Sequence, residues 1–179
     1  VALARLLTET PRLLLMDEPY SNLDLIHKQH LKKVIRDVQE KLAVSCMLIS
    51  HDAEDMLPWA DEIIVIKDGA IIQKGTPSQI YNEPETEYTA GLFGRFSPLT
   101  PALAEALQFP RSKKYIRPEE IGIANEGIEA TVKDIFYMGS HYELEVLVGD
   151  QILLIKDLNG IYSRNDLVQI SKAAARASS

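Results

Sequence analysis

The stretch LLLMDEPYSNLD, Leu13 to Asp24, constrains the fold more than any other part of this chain. Four large apolar residues, with Pro11 before them and Pro19 after, read as a short strand buried on both faces, as in a parallel sheet. The strand runs straight into two adjacent acids, Asp17 and Glu18. Open α/β sheets place their chemistry at the C-terminal ends of the strands, where the loops form a crevice, so the acids stand at a functional end.

A second apolar run, Val44 to Ile49, also ends in polar chemistry, Ser50-His51-Asp52. Between the two runs, Asp24 is placed to cap a helix reaching about Leu42. Leu31, Val34, Ile35, Val38 and Leu42 form its apolar stripe, and Lys28, Lys32, Lys33 and Arg36 its solvated face. The single cysteine, Cys46, lies in the second run and reads as a buried structural thiol. A short helix is expected from Ala53 to about Ala60, interrupted by Pro58-Trp59, with Trp59 packed on the sheet. Then come a strand from Ile63 to Ile66, a hairpin turn at Asp68-Gly69 into Ala70 to Gln73, and a helix capped by Thr76 and opened by Pro77. Apolar strands alternating with amphipathic helices indicate an α/β layer.

The pattern changes after residue 82. Residues 83–112 hold Pro84, Pro98, Pro101 and Pro110 and read as a connector with short helical pieces. From Lys113 the period is two: Tyr142, Leu144, Val146 and Val148 alternate with His141, Glu143, Glu145 and Leu147. Short strands separated by turn residues over 113–173 predict a small antiparallel barrel, followed by a frayed tail at 174–179. A net charge of −7 supplies no basic field for a phosphate backbone, so nucleic acid is not the expected partner. No apolar run approaches the length of a membrane span.

A carboxylate that ends a buried strand can hold magnesium, and a second beside it can orient or deprotonate a water for attack on a phosphate. Here a resemblance becomes specific. LLLMDEPYSNLD resembles the Walker B motif and D-loop of an ATP-binding cassette (ABC) ATPase, and Leu48-Ile49-Ser50-His51-Asp52 resembles its switch-histidine strand. VALARLL, at residues 1–7, resembles the helix that follows the LSGGQ signature, and Asp68-Gly69 and Gly75-Thr76-Pro77 fall where importer subunits read DG and GTP. Ile116-Arg117-Pro118-Glu119 resembles the opening of the TOBE domain, an OB-like barrel appended to importer ATPases.

The resemblance implies an α/β fold: the C-terminal half of a P-loop NTPase core over residues 1–82, then a small antiparallel OB-like barrel. It implies that Asp17 supports the magnesium ion of bound ATP, that Glu18 is the catalytic carboxylate, and that His51 is the switch residue at the γ-phosphate. Ser21 and Asp24, on the D-loop, would lie at the nucleotide interface between two cassettes. The implied partners are a second ATPase subunit and the transmembrane permease subunits, with the protein on the inner face of the cell membrane. No G-x-x-x-x-G-K followed by Ser or Thr occurs in the sequence, and LSGGQ is absent too, so the chain reads as the C-terminal part of such a subunit, inactive by itself and prone to self-associate. Two alternatives stand beside this reading: a stand-alone regulatory or solute-sensing module, and a soluble ABC ATPase whose barrel binds nucleic acid. A single short barrel leans the solute toward iron or another small ion.

Overall fold

The computed structural model describes residues 11–173, in two compact units, one ending at Met56 and the other beginning at Leu57. The helix expected over residues 1–7 and the tail at 174–179 lie outside the described residues.

In the first unit, strand β1 (Leu13–Asp17) pairs in parallel with β2 (Ser45–Ile49), Leu13 opposite Ser45 and Asp17 opposite Ile49. Parallel neighbours need a crossover, supplied here by helix α1 (Leu25–Leu42). Asp24 caps it by accepting the His27 amide at 2.9 Å, and Ala43 ends it in the left-handed conformation.

In this chain one face of the first strand is covered. Leu14 and Met16 are buried, but Leu13 and Leu15 are 52% and 64% exposed, and on β2 Met47 and Ile49 are 54% and 59% exposed. Side chains alternate across a strand, and the described part of this unit contains a single helix, so one face of the pair is covered. Cys46, opposite Leu14 on the covered face, is half-buried, and that burial pushes its thiol pKa up. The helix expected from Ala53 shrinks to a 3₁₀ turn, Ala53–Asp55. Pro58 disfavours helical backbone at the residue before it, which blocks propagation.

In the second unit, β3 (Ile63–Lys67) and β4 (Ala70–Gly75) form the predicted hairpin. Asp68 and Gly69 both have positive φ, 51° and 77°, as a two-residue type I′ turn requires. Helix α2 (Pro77–Asn82) begins with a capping box between Thr76 and Gln79. The connector adds α3 (Glu87–Leu92), α4 (Pro101–Ala106) and a two-residue pairing of β5 (Ser97–Pro98) with β6 (Tyr115–Ile116).

The remaining strands, β7 (Ile121–Ala124), β8 (Ile128–Tyr137), β9 (Tyr142–Val148), β10 (Gln151–Asp157) and β11 (Leu167–Lys172), form one antiparallel sheet in the order β10-β9-β8-β11-β7. Its two ends, β10 and β7, approach each other, so the sheet curls into the expected OB-like barrel. Ala130, Val132, Leu144, Val146, Leu153, Ile155, Val168 and Ile170 fill the interior, and Ala104, Leu107 and Phe109 from α4 and the residues after it join the same buried cluster. Gly127 is needed where β8 begins: its φ is 159°, and a Cβ there would sit 2.1 Å from the Ile170 carbonyl oxygen.

Arg117 clasps the connector to the barrel. Its side chain is 2% exposed, Nε donates to the Tyr81 carbonyl at 3.2 Å, and Nη1 donates to the carbonyls of Ala90, Gly94 and Arg95 at 2.9, 3.0 and 3.2 Å. The guanidinium also stacks over the Tyr81 ring at 4.3 Å. Glu143, which alternates with the interior residues of β9, is buried as well, with Arg95 Nη1 at 2.5 Å.

Candidate functional site

The parallel register sets the C-terminal ends of β1 and β2 level, with Asp17 opposite Ile49. The acids after one strand and Ser50-His51-Asp52 after the other therefore share one edge. Asp17 is the last residue of β1 and is exposed; by alternation it shares the face of Leu13 and Leu15. Glu18 extends the ladder by donating its amide to the Ile49 carbonyl at 2.9 Å, then turns the chain through a left-handed φ of 47°. That conformation costs about 1–2 kcal/mol outside glycine, a form of strain that clusters at functional sites.

The turn brings the Glu18 carboxylate to β2, where Oε1 lies 2.7 Å from His51 Nδ1. Two residues singled out separately in the sequence thus meet. The Glu18 carboxylate holds the His51 pKa above the ordinary 6.5, by hydrogen bonding first and charge second. A pKa raised by folding means that the pair contributes below the ordinary value and is lost as pH rises through the folded one. Glu18→Gln is expected to bring the His51 midpoint back down toward 6.5, as followed by imidazole resonances in an NMR titration. A midpoint unmoved by that change would show that the contact is not populated in solution.

The D-loop residues have local tasks. The Ser21 hydroxyl donates to the Glu18 carbonyl at 2.8 Å, and its amide reaches the same oxygen at 3.1 Å, holding the turn. The Asp24 carboxylate caps α1 and faces His27 Nδ1 at 2.8 Å, and the His27 amide is the main cause of its lowered pKa. Tyr20 is buried beneath this turn with its hydroxyl unpartnered among the described residues, and burial pushes its pKa up to about 12.

Among the described residues no three His, Cys, Asp or Glu side chains gather to cage a metal. A single exposed carboxylate at Asp17 fits magnesium in another way, since that ion keeps several waters and is commonly held by one or two carboxylates plus substrate phosphates.

Sequence reasoning missed the residues that hold this edge together. Lys28 and Lys32 of α1 are partly buried and paired. Lys28 Nζ lies 2.6 Å from Asp52 Oδ2 and 2.7 Å from Asp55 Oδ1, and Lys32 Nζ lies 2.8 Å from Asp55 Oδ1. Asp55 Oδ1 accepts no well-aligned hydrogen bond, so these are charge pairs on a carboxylate that is 2% exposed. The available signal was two lysines one helical turn apart and two aspartates three apart in the switch segment.

The first unit is thus a parallel β-α-β unit with paired acids and a histidine at one edge, and the second holds a curled antiparallel barrel. Residues 115–177 match the TOBE domain family. Most of the chain is similar to curated import ATP-binding proteins. It is 33% identical to the Fe(3+) ions import ATP-binding protein of Photobacterium profundum, over 87% of this chain and 50% of that protein. It is 34% identical to the spermidine/putrescine import ATP-binding protein of Spiroplasma citri, over 96% of this chain and 55% of that protein, and 33% identical to that of Borreliella afzelii, over 80% and 47%. The chain thus spans about half the length of the relatives it matches, and it belongs with the ATP-binding subunits of ABC importers that carry a TOBE domain.

Proposed function

We propose that the intact protein to which this chain belongs hydrolyses ATP and couples hydrolysis to solute import. The observation that carries this reading is the 2.7 Å meeting of Glu18 and His51 at the shared C-terminal edge of two parallel strands, beside Asp17. Asp17 would hold the magnesium ion of the nucleotide, which supplies charge neutralisation on the phosphates. Glu18 orients and deprotonates the attacking water. His51, paired to that carboxylate, fixes its orientation and presents the rest of its imidazole to the γ-phosphate. Ser21 and Asp24 keep the D-loop in the shape that meets a second subunit.

The partners in this reading are a second copy of the subunit and a pair of membrane-spanning permease subunits. No helix among the described residues is long and apolar enough to cross a membrane, in keeping with an ATPase docked on the inner face by those partners. The relatives' names divide between Fe(3+) and spermidine/putrescine, so a cationic solute is the proposal. Uptake assays with radiolabelled iron(III) and spermidine, in cells carrying or lacking the gene, test it. Energy-dependent accumulation of either cation that disappears with the gene supports the reading; identical uptake of both with and without it would refute the proposed solute class.

A further inference from the structure

We propose that Lys28 is a positioning residue, which pins the loop carrying His51 to the first turn of the helix that the D-loop caps. The inference rests on the reading of Glu18 and His51 given above, and it adds what sets His51 in place. His51 is 81% exposed at its side chain, and the described hydrogen bonds hold its ring only through Glu18, so its position depends on the backbone that carries it. That backbone leads directly into a tight 3₁₀ turn: the Asp55 amide donates to the Asp52 carbonyl at 3.1 Å and the Met56 amide to the Ala53 carbonyl at 3.0 Å. The Asp52 amide donates to Ser50 Oγ at 3.0 Å. Both carboxylates of the turn, one directly after His51 and one at its end, converge on the Lys28 ammonium at 2.6 and 2.7 Å. Lys28 in turn stands four residues after Asp24, and its amide donates to the Asp24 carbonyl at 2.9 Å as the first turn of α1.

One ammonium therefore ties two segments that are remote in sequence. The D-loop determines where α1 starts, α1 determines where Lys28 stands, and Lys28 determines where the switch turn sits. A displacement of the D-loop carries His51 with it. Lys32 holds the far end of the turn, reaching Asp55 at 2.8 Å from one turn further along, whereas Lys28 also holds the end next to His51 through Asp52. Lys32 keeps the buried Asp55 charge paired when Lys28 is removed, so the fold survives the test.

Amide hydrogen exchange on this chain reads the proposal without nucleotide or turnover. Lys28→Met is expected to speed exchange of the Asp52, Asp55 and Met56 amides about tenfold, while the amides pairing β1 with β2 keep their rates, and Lys28→Arg restores the slow turn. Should Lys28→Met fail to fold, Lys28→Gln, whose uncharged amide ends one atom short of the ammonium, is expected to speed exchange of the same turn amides. Unchanged rates in the turn, or turn and strand amides speeding up together, would overturn the proposal. Its failure is separate from that of the catalytic reading: a Glu18 variant with full turnover would sink that reading and leave the exchange result untouched.

Discussion

Arg117→Met is expected to destabilise the barrel unit by about 3–5 kcal/mol, a fall in Tm of about 10–20 °C. The side chain is almost fully buried and donates to four main-chain carbonyls, those of Tyr81, Ala90, Gly94 and Arg95. Methionine fills much of the same space but donates nothing, and each buried acceptor left without a partner costs about 1–3 kcal/mol. The stacking over Tyr81 is lost as well. Lysine keeps a charge but lacks the planar fork that reaches several carbonyls at once, so Arg117→Lys is expected to recover only part of the loss. Urea unfolding followed by far-ultraviolet circular dichroism measures both. A methionine variant as stable as the parent would mean that the clasp is not formed in solution.

Arg117 also shows what the sequence could and could not reveal. Its place in Ile116-Arg117-Pro118-Glu119 marked the start of the barrel through a resemblance, but nothing in the local pattern said that the guanidinium reaches back to Tyr81, Ala90, Gly94 and Arg95. The barrel itself was legible because it rests on period two: Leu144 and Val146 alternate in the sequence and are buried in the fold. The same rule says nothing of what covers the other face, where Arg95 arrives from the connector to pair with Glu143. The hairpin and the cap at Thr76 were legible for a different reason, because turn and cap chemistry is local.

At the candidate site the individual residues were legible and their connections were not. Asp17, Glu18 and His51 announced themselves as polar residues at the ends of apolar runs. That Glu18 leaves the strand in a left-handed turn, and so meets His51, depends on tertiary geometry. Lys28 and Lys32 were read as a solvated face because helical periodicity separates polar from apolar stripes, and it cannot tell water from a buried aspartate.

Glu18→Gln carries the largest expected effect on activity. The substitution keeps the length and shape of the side chain and one oxygen for contact with His51, but removes the carboxylate that takes a proton from water. General-base assistance of this kind contributes about a hundredfold to ten-thousandfold, so kcat for ATP hydrolysis by the intact subunit is expected to fall within that range. KM for ATP is expected to change little, since the lost interaction belongs to the reacting water and not to nucleotide binding. Asp17→Asn is expected to behave differently, weakening magnesium binding and nucleotide binding together.

The most direct measurement is therefore steady-state ATP hydrolysis by the intact subunit and its Glu18→Gln variant, assayed side by side over a range of ATP concentrations. A kcat lowered at least about a hundredfold with KM for ATP preserved is the predicted result. Turnover equal to that of the parent would contradict the assignment of this edge as the water-activating end of an ATPase.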